Sequence, residues 1–428
     1  MDISTNCIHA GYKAGNGEPR ALPIYQSTTY HYDSTDTVAA LFDLSADGHF
    51  YSRISNPTCE AVERKIAALE GGVAAMLTTS GQAASFVSLM NIASAGDHFV
   101  ASATIYGGTV NLFGVTMKRF GIDCTFVDPR ASKEELLAAV RPNTKAFFGE
   151  TVANPALNVL DIETFAAAAH EAGVPLIIDN TFPTPVMCRP FEWGADIVIH
   201  STTKYIDGHA LTVGGVIVDS GNFDWASARN ADGSLRYPDL CTPDESYHGL
   251  TYTDAFGKLA YITKARVQIV RDIGCYPQAT TAFILNESLE TLPIRMRRHC
   301  ETAQRVAEWL EQQPKVASVN FPGLASSADH DLANKYLPNG SCGVISVVVD
   351  GGRERAAAFL DHLKLASIEV HVADSRTCVL HPASSTHRQL TDEQLVACGV
   401  EPGLIRLSCG LESADDIIAD LEQALAAI

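Results

Sequence analysis

The sequence predicts an α/β protein: a large domain built on a mostly parallel sheet with helices on both faces, and a smaller C-terminal α/β domain. Three observations carry this. Between residues 73 and 200, short apolar and β-branched runs alternate with stretches of helical spacing, the pattern of βαβ units. The runs are continuously apolar rather than alternating, as in strands of a parallel sheet covered on both faces. At 428 residues the chain is too long for one ordinary core, and from Tyr252 its character changes to helical spacing before strands resume.

Taken in order, residues 1–57 are polar and turn-rich, with Gly15-Asn16-Gly17-Glu18-Pro19 and Tyr25-Gln26-Ser27-Thr28-Thr29-Tyr30. They show no core of their own and read as an arm lying on a neighbouring subunit. The Asn56-Pro57 step opens a helix, because proline suits the first turn. Val62, Ile66 and Leu69 keep helical spacing until Gly71-Gly72 end it. The large domain, 58–255, then alternates: strand 74–77, helix 83–92, strand 98–101, helix 108–120, strand 124–127, helix 132–140, strand 146–149, helix 162–172, and strands 175–178 and 196–199. Residues 219–250 form a long polar interruption, and a loop of that length predicts a lid or a contact. The C-terminal domain, 256–428, places Leu285, Leu289 and Leu292 on one helix face. It continues with strands 316–320 and 344–349, helix 353–363, strands near 368–372 and at 404–407, and a last helix 413–427.

Composition narrows the function. A net charge of −19 disfavours nucleic acid and anionic membranes as partners. No apolar run reaches the ~18–20 residues that span a bilayer, and no signal peptide is visible at the start, so a cytoplasmic setting is expected. The 11 cysteines are scattered without metal or disulfide spacing, consistent with reduced, mostly buried thiols. No metal is expected: the 14 histidines lack ligand spacing, and His381 and His387 read as structural. The glycine fingerprint of dinucleotide binding, the P-loop, the H-E-x-x-H pair and the G-x-S-x-G elbow are all absent.

What remains gathers at strand ends. Ala195-Asp196-Ile197-Val198-Ile199-His200 runs into Ser201-Thr202-Thr203-Lys204, so Lys204 stands past a carboxyl-terminal strand edge, where open α/β sheets bind ligands. A lysine there is either a solvated surface group or an amine of lowered pKa that forms Schiff bases. Glu150 and Asn154 follow one strand, and Asp179-Asn180-Thr181 follow another. Each alone could equally be a cap or a turn former. Together they supply an acid, an amide, hydroxyls and a lysine on one sheet edge. The turn Ser80-Gly81-Gln82 before a helix adds backbone N–H groups suited to a phosphate. A lysine, an acid and a phosphate turn are the parts needed to hold pyridoxal 5'-phosphate (PLP). In that reading Lys204 holds the cofactor, Asp179 faces its ring nitrogen, Ser80, Gly81, Gln82, Ser201 and Thr203 take the phosphate, and Tyr106 stacks on the ring.

The chain resembles the Cys/Met-metabolism PLP-dependent enzymes, the cystathionine γ-synthase-like family of fold type I, over nearly its whole length. The motifs are Tyr51-Ser52-Arg53, Asn56-Pro57-Thr58, Thr79-Ser80-Gly81-Gln82-Ala83, Tyr106-Gly107-Gly108-Thr109, Glu150 through Asn154-Pro155, Asp179-Asn180-Thr181, His200 through Tyr205, His381-Pro382-Ala383-Ser384 and Ile405-Arg406-Leu407-Ser408. The resemblance implies that Tyr51 and Arg53 reach the phosphate of a neighbouring subunit. It places Asn154 at the ring hydroxyl and Thr181 beside the cofactor. Arg406 would clamp the substrate α-carboxylate, with Glu150, His371 and Thr377 also on the substrate side. It further implies a homotetramer assembled as a dimer of dimers. Within the family the chain is most similar to the O-acetylhomoserine sulfhydrylase branch, through the 219–250 insertion with Tyr247-His248-Gly249 and through Asn143 to Glu150. The implied reaction is γ-replacement on O-acetyl-L-homoserine with sulfide or methanethiol, giving homocysteine or methionine and acetate, with Lys204 and Tyr106 catalytic. The alternatives are a methionine γ-lyase, which usually carries cysteine where this chain has Gly108, a cystathionine γ-synthase-type enzyme, and a non-catalytic PLP-fold binding module. One segment departs from the branch: His371-Val372-Ala373-Asp374 stands where Asn-Val-Gly-Asp is common.

Overall fold

Two apolar cores organise the chain in the computed structural model, which describes residues 1–386, 388–389, 391–397 and 400–428. The larger core collects side chains from Cys7 to Ala373, the smaller from Ala303 to Leu425. Over the larger core lies a seven-stranded sheet: β1 (Ala74–Thr78), β2 (His98–Ser102), β3 (Asp123–Val127), β4 (Thr144–Glu150), β5 (Leu176–Asp179), β6 (Ile197–His200) and β7 (Gly215–Asp219), in the order β1-β7-β6-β5-β4-β2-β3. The neighbours from β6 to β3 are parallel, as their unbroken apolar runs require. β7 is an addition to the expectation. It is fully buried and pairs antiparallel with both β6 and β1. An antiparallel return needs no crossover helix, so the strand-helix alternation reserved no place for it.

Helix ends follow local chemistry. In α1 (Ile3–His9) the Asp2 side chain accepts from Ser4 N at 2.8 Å. This helix and α2 (Thr35–Phe42) lie in the stretch expected to be turns, and Cys7 and Leu22 join the larger core. Part of the arm therefore packs on its own chain, while Tyr25, Phe42 and Tyr51 stay exposed. α3 (Pro57–Glu70) starts on the Asn56 cap and stops at Gly71, whose φ of 83° is left-handed. α4 (Gly81–Met90) starts on Ser80, whose hydroxyl accepts from Ala83 N at 3.0 Å. The helix expected at 108–120 forms as one helical run, with a wider π-type turn at Leu112–Thr116.

The second sheet holds β8 (Val316–Asn320), β9 (Val344–Val349), β10 (Ser367–Ile368), β11 (Cys378–Leu380) and β12 (Leu404–Ser408), ordered β10-β11-β12-β9-β8. The strand expected near 368–372 is only Ser367–Ile368, because the chain turns off at Ala373, whose φ of 67° no strand accommodates. The pairing with β12 comes from β11 instead.

Of the expected lid or contact, the 219–250 stretch shows a contact. It is anchored at the start of β4: Tyr237 donates to Lys145 O at 2.7 Å, and Arg236 to Thr144 O at 3.2 Å and Ala172 O at 3.0 Å. Aromatic packing buries those anchors at the edge away from Lys204. His381 is buried and bonds Pro402 O through Nε2 at 2.8 Å, a structural placement, whereas His387 lies outside the described residues. Among the described residues no His, Cys, Asp and Glu side chains gather as a metal site, the cysteines are unpaired, and no helix is long and apolar enough to cross a membrane.

Candidate active site

The parallel register brings the polar strand ends side by side. Glu150 pairs across β4 and β5 with Asp179, and Asp179 across β5 and β6 with Ile199. Asp179 and Ser201 are joined through one hydroxyl. Thr181 donates its backbone N–H (3.0 Å) and its hydroxyl to Asp179 Oδ1, and the same hydroxyl accepts from Ser201 N at 2.8 Å. Among the described residues no donor reaches Asp179 Oδ2, so one carboxylate oxygen is left for something else. Burial raises the Asp179 pKa, against the bonds from Thr181 and the His200 charge. Glu150 is pushed far higher, by burial and then by Asp179. Two neighbouring carboxyls do not both ionise easily, and the one fed by Thr181 is the better anion. Glu150 Oε2 instead accepts from Tyr106 N at 2.8 Å, holding the Tyr106 loop. Gly108 leaves room for that tyrosine: a Cβ there would stand 2.5 Å from Tyr106 Cε1.

Lys204 follows β6 in a tight turn closed by Gly208 N donating to Lys204 O at 2.7 Å. Its Nζ lies 3.5 Å from His371 Nδ1. Burial, and then the Arg406 charge, bring its pKa down to about 8. An amine so poised has an appreciable neutral fraction just above neutrality, which suits a nucleophile and proton acceptor.

The β1–α4 turn forms the corner beside the end of β6. Gly81 sits against the end of β6, where a Cβ would come within 2.6 Å of Ser201 Cβ. Ser80 caps the helix, and the free N–H groups of its first turn lie beside the positive dipole end. Gln82 donates to Thr109 Oγ1 at 3.0 Å, tying this corner to the Tyr106 loop. Thr203 spends its hydroxyl on the loop itself, bonding Gly214 N at 3.0 Å and Gly214 O at 3.2 Å.

The smaller sheet reaches over this edge through β12. Arg406 donates to Asn154 Oδ1 at 3.3 Å and to His371 O at 3.2 Å, and its Nε is buried without a partner. Burial lowers its pKa. A guanidinium held on two sides with a donor to spare is prepared for a carboxylate.

Three expected site residues stand apart from this group. Thr377 is buried and engaged: its N–H (2.6 Å) and hydroxyl (2.8 Å) donate to Glu412, and the hydroxyl accepts from Gly410 N at 2.9 Å. Tyr51 and Arg53 line a separate cleft of about 330 Å³ with Tyr25, Tyr276 and Gln278. There the Arg53 guanidinium lies 5.1 Å from the Tyr51 ring centre.

Sequence reasoning missed a buried support beneath the site. Glu70 Oε1 accepts from His200 Nε2 at 2.6 Å and from Asn180 Nδ2 at 3.1 Å, and Asn180 Oδ1 accepts from Thr151 at 2.9 Å. All four residues are fully buried. The tie fastens the ends of α3, β4, β5 and β6 together. One signal existed: a carboxylate at the C-terminal end of a helix is opposed by the dipole, so Glu70 needs a partner.

A family model described as Cys/Met metabolism PLP-dependent enzyme matches residues 4–426. The chain is 44% identical to an O-acetyl-L-homoserine sulfhydrylase of Leptospira meyeri, covering 98% of this chain and 96% of the relative. It is 46% identical to a homocysteine synthase of Schizosaccharomyces pombe, with the same 98% and 96% coverage. A crystal structure of an O-acetylhomoserine (thiol)-lyase from Campylobacter jejuni superposes with a TM-score of 0.94 at 36% identity, covering 100% of both chains, and contains N'-pyridoxyl-lysine-5'-monophosphate.

Proposed function

The chain belongs to the Cys/Met metabolism PLP-dependent enzymes, and from that premise we propose that it catalyses γ-replacement on O-acetyl-L-homoserine with sulfide or a small thiol. The observation that carries the reading is the low-pKa amine of Lys204 on the same sheet edge as an Asp179 carboxylate with an unused oxygen. The residues present fit PLP. Asp179 Oδ2 is free for a ring N–H, the cradle of Gly81 and Ser201 admits no further side chain, and the α4 amides with Ser80, Gln82 and Ser201 offer donors to a phosphate. When bound, the cofactor supplies an electron sink for the charge left on the substrate α-carbon.

The chain's own residues would then act as follows. Arg406, steadied by Asn154 and the His371 carbonyl, binds the substrate α-carboxylate. Tyr106, set by Glu150 and Gly108, covers the site and stands by as a second base. Lys204 accepts the proton from Cα and, once it has passed that proton on, the proton from Cβ; acetate leaves Cγ and carries one proton away as acetic acid, and sulfur bonds Cγ as its S–H proton is released. That proton and the one held on Lys204 go to Cβ and Cα, giving homocysteine from sulfide or methionine from methanethiol. Thr203 and Thr181 hold the loop and the acid that orient these groups, and Glu412 fixes Thr377 at the border of the smaller domain.

The arm (1–57), large domain (58–255) and C-terminal domain (256–428) are read as parts of one subunit in a dimer of dimers. Tyr51 and Arg53, remote from this chain's Lys204, would serve a neighbour's phosphate site. A cytoplasmic setting suits the unpaired cysteines. Supplying O-acetyl-L-homoserine and sulfide to the PLP-loaded protein should release homocysteine and acetate together. If 2-oxobutanoate forms instead, with no need for sulfide, the reading fails in favour of a γ-lyase.

A further inference from the structure

β1 lies at one end of the seven-strand order, with β7 on its inner side. A bare strand edge has to be covered, and here side chains cover it. Glu63, buried on α3, accepts from Leu77 N at 2.9 Å, and Arg266 donates to Ala75 O at 3.4 Å. Arg266 Nη2 also donates to Glu63 Oε2 at 2.7 Å, and Tyr276 donates to Glu63 Oε1 at 2.9 Å. Further along the same edge Thr79 N donates to Cys275 O at 2.9 Å.

This ion pair does more than seal an edge. Arg266 Nη1 donates to Ile54 O at 2.9 Å, one residue past Arg53. Tyr51 O accepts from Ile54 N at 3.0 Å and from Ser55 N at 3.2 Å, so residues 51–55 form one tight turn pinned by Arg266. The helical run that carries Arg266 ends at Gly274, and Arg53 lies along it, with Cδ 3.6 Å from where a Cβ would stand. The Arg53 head is exposed and faces the Tyr51 ring, and among the described residues no carboxylate pairs with it. A guanidinium whose backbone is pinned on a buried charge while its own head stays unpaired is set out for an anion of another molecule.

Resting on the reading above that Tyr51 and Arg53 serve a neighbour's phosphate site, we propose that Arg266, steadied by Glu63, is a positioning residue that acts across the subunit boundary. It sits beside the strand that leads into its own chain's Ser80 turn, yet the group it aims is Arg53, and so it works on the neighbour's cofactor. A charge-assisted hydrogen bond depends steeply on distance and angle, so freeing the Ile54 carbonyl should cost what losing the Arg53 head costs, and no more.

Titration of the cofactor-free protein with PLP, read as the pyridoxyl label that borohydride fixes on Lys204, tests this without the reaction. Arg53→Met and Arg266→Met should each weaken binding by about 10-fold, the low end for one hydrogen bond to a charged group. In the Arg53→Met background, Arg266→Met should cost nothing further, because it acts through that guanidinium. Arg266→Met leaves Glu63 buried without its partner charge; Arg266→Met combined with Glu63→Gln removes that burden and should bind PLP as Arg266→Met does. Differently tagged chains carrying Arg266→Met and Lys204→Ala, co-expressed, separate action within a subunit from action across the boundary. In a mixed pair, the Lys204 of the first chain receives Arg53 from the second, whose Arg266 is intact, so that site should bind PLP as tightly as wild type. Unchanged affinity in Arg266→Met, additive losses in the double variant, or a mixed pair as weak as Arg266→Met alone overturns the proposal, as does a protein that is monomeric in solution. A wild type that binds PLP yet leaves O-acetyl-L-homoserine untouched overturns the substrate reading and leaves this one standing.

Discussion

Lys204 and Lys264 have the same depressed basicity in two different settings. Burial brings each ammonium down to about 8. Lys264, on the helix Ala260–Lys264, is 2% exposed and donates to Asn91 O at 2.8 Å. A carbonyl only accepts, so this lysine is a strut between two helices. Lys204 meets an imidazole that can accept or donate, stands near the Arg406 guanidinium, and shares its sheet edge with a carboxylate that has an oxygen to spare. A shifted lysine therefore reports burial. What makes a site of it is company that can exchange a proton and space for a ligand.

The largest effect should separate the two lysines outright. Lys204→Ala should remove turnover by 10³-fold or more, roughly the range assigned to acid–base groups, with little change in melting temperature. Lys264→Met should keep most of the turnover. Loss of activity in folded Lys264→Met protein would break the comparison.

Next comes Arg406→Ala, which withdraws a charged donor from the Lys204 side only. It should raise KM by roughly 100-fold, the scale of one charge-assisted hydrogen bond, and leave kcat less affected. An unchanged KM would show that the guanidinium does not meet the substrate.

The smallest effect sharpens the strut. Lys264 has a folded-state pKa of about 8 against 10.5 for a free lysine. Between those values the unfolded chain binds the extra proton and the folded chain does not. The burden this lysine places on folding is full below pH 8 and is relieved as pH rises toward 10.5, by about 3 kcal/mol in all. Denaturant midpoints measured across that window should climb more steeply in wild type than in Lys264→Met. Parallel curves would mean that the ammonium is satisfied where it lies.

Much of the frame was readable in the chain because it is governed by neighbours in sequence. The Ile197–His200 run and its partners declare buried parallel strands by composition alone. The Ser80 and Asn56 caps declare their helices, and Lys204 and Asp179 declare themselves by falling just where apolar runs stop. What was not readable depends on partners far away. Glu70 and His200 are 130 positions apart, and neither is unusual until they touch. Thr377 looks available until Glu412, 35 residues later, folds back onto it. β7 has no helix before it to announce another parallel strand, and it shows itself only when two strands pair with it.

Local patterns of apolarity, capping and turn residues thus determined which segments became strands and helices, and which polar groups would crowd one sheet edge. Only the tertiary structure decided which oxygen of Asp179 stays free, which nitrogen of His371 faces Lys204, and which carboxylate supports rather than serves the site. Such choices turn on differences of an ångström or less in the separations of residues brought together by packing, and hydrogen bonding and desolvation are steep at that scale.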